Sequence, residues 1–326
     1  MNRISFCRAV SLFVMAFLLL CLGGLLGCSD QIYDPNGETL LLDGTGNSDQ
    51  TGNVMEIPNA DPFGNSPHVM RADFLNTGDS DVILIRMDGT VILVDAGEAD
   101  DYPAISRKLA EYGISTIDYF IISHYDNDHI GAAAQILQSY TVKNVYMPSY
   151  VRDSSLYRRM MAVLEGLPEV AACRITEDVR IDLSYGSLWI NPTGLYESGV
   201  TLGSDDSHSL EENNYSLITS LYFGEISVLL AGDAEQERIT EFMDKVGDTL
   251  SYDVIKIPHH GGYDKALGSL LRENTGLRYC MVHVRDESLS EASLITAIRA
   301  SGAAIKFTCK GDISFATDGV SMTLSQ

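Results

Sequence analysis

Four side chains able to bind a metal ion or transfer a proton lie within six residues of one another. They occupy alternating and adjacent positions in the segment His124-Tyr125-Asp126-Asn127-Asp128-His129. Imidazole and carboxylate groups are common ligands of zinc, manganese and iron. An apolar run at 117–122 precedes the segment, and a tight loop after a buried strand can direct such side chains towards two adjacent metal positions. The pattern therefore predicts a metal centre that activates water for hydrolysis.

Three further polar motifs follow apolar runs elsewhere in the chain. They read Leu93-Val94-Asp95-Ala96-Gly97, Leu230-Ala231-Gly232-Asp233-Ala234-Glu235 and Ile257-Pro258-His259-His260-Gly261. Each one places a carboxylate or a histidine just after a predicted strand, which is where residues of one site can converge.

Strands and helices alternate from His68 onward. The dipeptide Asp88-Gly89 between the apolar runs 82–85 and 91–94 predicts a β-hairpin. In the first round we expect a helix at 101–112, a strand at 117–122 and another helix beginning near Ile130. A second round has predicted strands at 216–223, 226–231, 254–257, 278–284, 304–308, 312–317 and 320–324, and predicted helices at 235–246, 264–273 and 290–301. Apolar strands that alternate with helices predict sheets covered by helices.

Together, the four motifs resemble those of the metallo-β-lactamase fold superfamily, whose signature is His-x-[His/Asp]-x-Asp-His. The matches agree in order and spacing and cover most of residues 70–326. The resemblance implies an α/β fold, an αββα four-layer sandwich with two mixed β-sheets flanked by helices.

Within this superfamily the chain is most similar to the ComEC-type hydrolase domain of competence proteins. The likeness rests on Phe74-Leu75-Asn76-Thr77-Gly78-Asp79-Ser80-Asp81 and on Asn213-Asn214-Tyr215-Ser216-Leu217. Asp126 also fits, because true β-lactamases carry histidine at that position. Two departures concern the substrate side, where Gly262 replaces a serine and Leu289-Ser290-Glu291 replaces His-Pro-Ser.

The resemblance implies two divalent metal ions, with zinc expected ahead of manganese or iron. It also assigns most of their ligands. His124 and Asp126 would bind the first metal, Asp128 and His129 the second, and Asp233 would bridge them. His260 would complete the second metal, with His259 as the alternative ligand or as a proton donor. The residues expected to take part in catalysis are Asp128, Asp233 and His259.

The first metal has no obvious third histidine. Asn213 is the substitute consistent with the family, and His208 is a second candidate. Asp95 would orient a ligand histidine. The cluster Arg152, Arg158 and Arg159 is interpreted as solvated helix surface, within an insertion that in this superfamily often shapes the substrate cleft.

The expected activity is hydrolysis of a phosphodiester of nucleotide, nucleic-acid or phosphorylated-polymer type by a metal-bridging hydroxide. One alternative is an amide or ester hydrolase of the same fold, acting on a lactone or a lactam. Another is a non-catalytic lipoprotein that retains metal in a binding domain.

The N-terminus has the layout of a secretory signal peptide. Arg3 and Arg8 precede an apolar run from Ala9 to Leu26, which ends in Leu25-Leu26-Gly27-Cys28. This ending resembles the lipobox of bacterial lipoproteins, in which the cysteine is lipidated. We therefore predict a signal peptide at 1–27, a flexible acidic and polar tether at 28–67 and a hydrolase domain at 68–326, anchored outside the cytoplasmic membrane by Cys28. An uncleaved transmembrane anchor is the alternative.

The charge balance limits the partners. The 326 residues include 45 acidic and 22 basic side chains, for a formal net charge of −23. This excess disfavours extended binding to nucleic acid, which needs a cationic surface. A small phosphate site remains compatible with it, because bound metal ions reverse the local sign of the charge.

Overall fold

A computed structural model of the chain describes residues 5–6, 63, 66–203 and 212–326. The predicted lipidation site Cys28 and the candidate ligand His208 lie outside the described residues, as does nearly all of the predicted signal peptide and tether. Within the described part of the chain, every helix is too short or too polar to span a lipid bilayer.

The first large sheet has nine strands in the order β1-β8-β6-β5-β4-β3-β2-β17-β18. Its strands are β1 (Ser5–Phe6), β2 (Met70–Phe74), β3 (Ile83–Met87), β4 (Thr90–Val94), β5 (Thr116–Ile121), β6 (Thr141–Pro148), β8 (Ala171–Ile175), β17 (Ile313–Thr317) and β18 (Met322–Ser325). Strands β4, β5, β6 and β8 pair in parallel, whereas β2, β3 and β4 form an antiparallel meander.

The second large sheet has seven strands in the order β16-β15-β14-β13-β12-β10-β9. They are β9 (Val179–Leu183), β10 (Gly186–Asn191), β12 (Ile218–Phe223), β13 (Ile226–Leu230), β14 (Val254–Lys256), β15 (Tyr279–Val282) and β16 (Ala304–Phe307). Strands β13 to β16 are parallel. A small separate ribbon pairs β7 (Val151–Arg152) with β11 (Thr201–Leu202).

Helices cover the outer faces of both sheets. The described helices are α1 (Tyr102–Glu111), α2 (Asn127–Ile130), α3 (Ala133–Ser139), α4 (Ser155–Glu165), α5 (Gln236–Val246), α6 (Lys265–Glu273) and α7 (Ala292–Ser301). Short 3-10 turns lie at Ala99–Asp101, Gly247–Thr249, His259–Gly261, Glu287–Leu289 and Thr308–Lys310.

Alternation along the strands explains the layering. In β3, Ile83 and Ile85 pack in the apolar layer between the two sheets, while Leu84 packs on the opposite face with Ile105 and Leu109 of α1. Residues two apart in a strand share a face, so this apolar run supplies two cores at once. A third core lies between the second sheet and helices α5, α6 and α7. The predicted four-layer αββα arrangement of two mixed sheets flanked by helices is confirmed.

One predicted element begins elsewhere. We expected a helix to start near Ile130, but α2 already begins at Asn127 and ends at Ile130, and α3 begins at Ala133. The interruption falls at Gly131, where a Cβ atom would lie 2.4 Å from the backbone nitrogen of Ala99. Only glycine permits this close approach. The backbone N–H groups of Gly131 and Ala132 donate to the carbonyl oxygens of Gly97 and Ala96, so the helix is interrupted before Ala133.

Candidate metal centre

The residues singled out by the four motifs meet where strands of both sheets end. Asp95 follows β4, His124 follows β5, Asp233 follows β13 and His259 follows β14. In open α/β sheets, the carboxyl ends of parallel strands are the usual place for a binding site.

The backbone at this edge contains several residues in the left-handed region. The φ angles of Asp95, His259 and His260 are 59°, 49° and 50°. Non-glycine residues rarely adopt such angles, and in proteins they cluster at functional sites. Gly232 also has a positive φ of 53°, and a Cβ atom there would lie 2.8 Å from that of Ser123. This glycine lets the loop that carries Asp233 pack against the loop of the histidine motif.

Four ligand atoms converge at the centre of this edge. Single donor atoms of Asp128, His129, Asp233 and His260 all lie within 4.8 Å of one another. Nε2 of His260 is 2.9 Å from Oδ2 of Asp128 and 3.2 Å from Oδ2 of Asp233. Nε2 of His129 is 3.3 Å from the same oxygen of Asp233. Two imidazoles and two carboxylates facing one point fit the donor set of a divalent transition-metal ion.

A buried hydrogen-bond network orients His129. Asp95 accepts hydrogen bonds from the backbone N–H and the hydroxyl of Ser123, both at 2.7 Å. Its Oδ2 also lies 2.9 Å from Nδ1 of His129. With Nδ1 engaged in this way, Nε2 of His129 faces the cluster, as in metal sites where a carboxylate fixes the ligand histidine.

The charges in the cluster stabilise one another. Burial alone would lower the pKa of His260, but the carboxylates of Asp233 and Asp128 raise it to about 10. The pKa of His129 is likewise raised well above its ordinary value, although burial opposes the shift. The pKa of Asp233 is held well below its usual range by His260 and His129, again against the effect of burial. Metal binding at these positions would therefore release protons, because ligand imidazoles must be neutral.

The position predicted for the first metal contains His124, Asp126 and Asn213. His124 is fully buried, with Nδ1 3.1 Å from Oγ of Ser123 and Nε2 3.6 Å from Oδ2 of Asp126. Nε2 of His124 and Oδ1 of Asn213 are buried and make no hydrogen bond with the described residues. A buried polar atom without a partner costs about 1–3 kcal/mol, and a metal ion bound at Nε2 of His124 would remove that cost for the histidine. These residues therefore fit a first metal.

The two late histidines have different surroundings. His260 belongs to the four-residue cluster, whereas His259 does not. The side chain of His259 is 46% exposed, and its Nδ1 lies 3.0 Å from Oε1 of Glu235. That hydrogen bond raises the pKa of His259. The backbone N–H of His259 donates to Oδ1 of Asp233, 3.2 Å away. His259 thus borders the centre with a side chain that solvent can reach.

A group of polar residues beside Asp126 was not predicted from the sequence. Glu212 is fully buried, accepts a hydrogen bond from the hydroxyl of Tyr150 at 2.6 Å and forms an ion pair with Arg152. The interpretation of Arg152 as solvated helix surface is wrong, because it lies in β7 with 8% exposure and 3.6 Å from Asp126. Arg158 is exposed on α4, as predicted. A sequence signal existed only for Glu212, which directly precedes the asparagine motif.

The pKa values of Asp126 and Glu212 are shifted in opposite directions. Burial raises the pKa of Glu212 to about 8, and the neighbouring charge of Asp126 adds to the effect. Burial also acts on Asp126, but the hydrogen bond and charge of His124 outweigh it and lower the pKa of that carboxyl. Two carboxylates in contact do not both ionise readily. Burial and Asp126 thus favour the protonated form of Glu212, while the neighbouring Arg152 guanidinium favours the ionised form.

A family model described as "Metallo-beta-lactamase superfamily" matches residues 75–277. The matched segment contains every candidate ligand named above.

Two curated proteins are similar in sequence. ComE operon protein 3 of Bacillus subtilis is 28% identical over 167 residues, which are 51% of this chain and 19% of that protein. Recombination protein 2 of Haemophilus influenzae is 28% identical over 200 residues, which are 59% of this chain and 21% of that protein. The chain thus spans about a fifth of the length of these relatives. Among solved structures, the metallo-beta-lactamase fold protein YhfI from Bacillus subtilis aligns with a TM-score of 0.45 and 14% identity, covering 73% of this chain and 96% of that chain.

Proposed function

The chain belongs to the metallo-beta-lactamase superfamily, and from this premise we propose that it is a metal-dependent phosphodiesterase held at the outer face of the bacterial cytoplasmic membrane. The superfamily predicted from the four motifs is confirmed, and the two curated relatives agree with the predicted likeness to its ComEC-type branch. The substrate, the number of metal ions and the location go beyond these findings and form the proposal.

One observation carries the proposed activity, namely the convergence of Asp128, His129, Asp233 and His260 within 4.8 Å. Residues that follow three separate strand ends, those of β5, β13 and β14, bring two imidazoles and two carboxylates to one place. A metal ion provides the physical reason for such a cluster.

Two divalent cations, when bound at these positions, would supply Lewis acidity towards a phosphoryl oxygen and stabilise the charge that develops on it. The chain's own residues determine where this happens. Asp233 presents Oδ2 to the histidine pair, and Asp128 holds His260 at 2.9 Å. His259, which is half exposed and hydrogen-bonded to Glu235, is placed to donate a proton to a leaving oxygen.

The ligand types favour a phosphodiester over a lactam. Three carboxylates, those of Asp126, Asp128 and Asp233, stand beside the histidines, and Asp126 takes the position where β-lactamases carry histidine. Oxygen-rich ligand sets suit metals that bind phosphate oxygens. Phosphate binding in a chain of net charge −23 also requires these cations, because they reverse the local sign of the charge.

The experiment compares two chromogenic substrates on the full chain, kept in solution with detergent. We expect turnover of bis(4-nitrophenyl) phosphate and little turnover of a chromogenic β-lactam. Preferential turnover of the lactam would replace the proposed substrate class. Full metal occupancy with no turnover of either compound would instead favour a metal-containing binding protein.

A further inference from the structure

Directly behind the candidate metal centre, the structure buries a lysine and an aspartate. Lys256, the last residue of β14, is fully buried, and Asp81, just before β3, is 1% exposed. Lysine and aspartate are almost never fully buried unless they are paired, because an isolated charge in the protein interior is very costly. None of the sequence motifs gives either residue a role.

The ammonium group of Lys256 contacts the loop that carries Asp233. Nζ donates a hydrogen bond to the carbonyl oxygen of Gly232 at 3.0 Å and lies 3.5 Å from Oδ1 of Asp233. The other oxygen of Asp233, Oδ2, faces His129 and His260 at 3.3 and 3.2 Å. Lys256 therefore fixes one side of this carboxylate while the other side faces the ligand cluster.

Asp81 links the lysine to the remaining ligands. Its carboxylate forms an ion pair with Lys256, and its Oδ1 lies 3.9 Å from Nδ1 of His260. Its backbone N–H donates a hydrogen bond to the carbonyl oxygen of Asp128 at 3.1 Å. Nδ1 of His260 is buried and makes no hydrogen bond with the described residues, so Asp81 is the carboxylate that faces it. At 3.9 Å this contact is electrostatic and not a hydrogen bond, and Oδ1 of Asp81 lies closer, at 3.3 Å, to Nδ1 of the buried His283.

The lysine also controls where a cation can bind. Asp81, Asp95 and His129 place donor atoms within 4.8 Å of one another, so they form a second cluster with the composition of a metal site. Lys256 pairs with Asp81 and contacts only Oδ1 of Asp233, so Oδ2 of Asp233 and the carboxylate of Asp128 still face an incoming cation. An ion pair in the interior is often neutral or unfavourable for stability alone, so its retention is better explained by positioning.

We infer that Lys256 and Asp81 are a positioning pair, which holds Asp233 and His260 in the geometry needed to bind metal and directs the cation away from Asp81. This inference rests on the metal centre of the proposed function but not on its substrate.

The test is metal affinity of the full chain in detergent, measured by competition with a chromogenic zinc chelator. We expect Lys256→Met to weaken zinc binding about 10- to 100-fold, the range seen when residues that orient ligands are removed. Arg238→Met is the matched control, because Arg238 is also a fully buried cation but pairs with Glu241 and donates to Asn191 and to the carbonyl of Ser216. This control should lower the melting temperature and leave zinc affinity unchanged.

A double variant, Lys256→Met with Asp81→Asn, separates the positioning of the ligands from the balance of buried charge. It also replaces the single variant in the affinity measurement if that variant does not fold. The double variant removes both charges of the pair, so its melting temperature should recover towards that of the wild type while zinc affinity stays low. Wild-type zinc affinity in the folded double variant would overturn the inference. If the wild type binds zinc but hydrolyses no phosphodiester, the proposed substrate fails and the affinity comparison still decides the role of the pair. If the wild type binds no zinc, manganese or iron, both proposals fail.

Discussion

Nδ1 of His129 lies 2.9 Å from Oδ2 of Asp95, so the buried imidazole is fixed with its Nε2 towards Asp128 and Asp233. Asp95 adopts a left-handed backbone angle to make this contact, and Ser123 holds its carboxylate with two hydrogen bonds. The orientation of one ligand is therefore prepared by a residue that itself faces away from the cluster.

This relationship predicts the effect of Asp95→Asn. The amide cannot accept from the histidine and from Ser123 as the carboxylate does, so His129 loses its fixed orientation. We expect metal affinity to fall about 10- to 100-fold in a chelator competition assay. Asp118→Asn is the control. Asp118 lies in β5 and accepts hydrogen bonds from the backbone N–H of Val91 and from Lys143, away from the ligands. An equal loss of metal affinity in the Asp95→Asn and Asp118→Asn variants would contradict the role given to Asp95.

The two adjacent histidines should separate metal binding from turnover. His260→Ala removes a member of the four-residue cluster and should lower the metal content by about one equivalent per chain. His259→Ala removes a half-exposed side chain outside that cluster and should keep the metal content while lowering phosphodiester turnover. Elemental analysis of both purified variants gives the answer. The opposite pattern, with metal lost only from the His259 variant, would exchange the two roles.

The raised pKa of Glu212 predicts a pH dependence of stability in the metal-free protein. The folded-state pKa of Glu212, about 8, lies above its ordinary value of 4.5. The folded chain therefore binds the proton of this carboxyl more tightly than the unfolded chain. Its contribution is complete below the ordinary pKa and is lost as the pH rises towards 8, by up to about 1.4 kcal/mol per pH unit.

Urea unfolding between pH 5 and pH 8, in the presence of a chelator, measures this loss. Glu212→Gln keeps the hydrogen-bonding capacity but cannot ionise, so its free energy of unfolding should fall less steeply with pH than that of the wild type. Glu225→Gln, at an exposed position in the turn between β12 and β13, should follow the wild-type curve. Parallel curves for the wild type and Glu212→Gln would show that Glu212 does not hold the proton.

The proposed location depends on Cys28. In a bacterial host, the wild-type chain should incorporate labelled fatty acid and partition into the detergent phase, whereas Cys28→Ser should do neither. Cys21→Ser, within the apolar run, and Cys7→Ser, just before it, are matched controls and should behave as the wild type. Detergent partitioning of Cys28→Ser without label would favour the uncleaved anchor instead.

Much of the fold was predictable because it depends on local patterns. The Asp88-Gly89 turn between apolar runs does join β3 and β4, and Asp88 and Gly89 both adopt positive φ angles. The break between α2 and α3 was missed because it results from hydrogen bonds of Gly131 and Ala132 to Gly97 and Ala96, which are contacts between separate loops. Tertiary contacts of this kind leave no periodicity in the sequence.

The same limit explains which site residues were found. Motif residues follow strand ends and carry a spacing, so the sequence indicates them directly. Arg152 pairs with Glu212, which lies 60 residues later in the chain, and Asp81 pairs with Lys256, which lies 175 residues later. Lys256 did leave one signal, because it is a charged residue within the apolar run 254–257. A charge in a strand buried on both faces requires a partner, and the sequence does not say which one.

The metal dependence of phosphodiester hydrolysis tests the central claim most directly. The full chain is dialysed against a chelator, and turnover of bis(4-nitrophenyl) phosphate is followed while zinc, manganese or iron(II) is titrated back, with Asp128→Ala treated in parallel. The account predicts that metal removal lowers turnover by at least about 100-fold, that turnover returns in proportion to the metal added up to two equivalents, and that Asp128→Ala binds one equivalent fewer and stays inactive. Undiminished turnover by the metal-free wild type or by Asp128→Ala would contradict it.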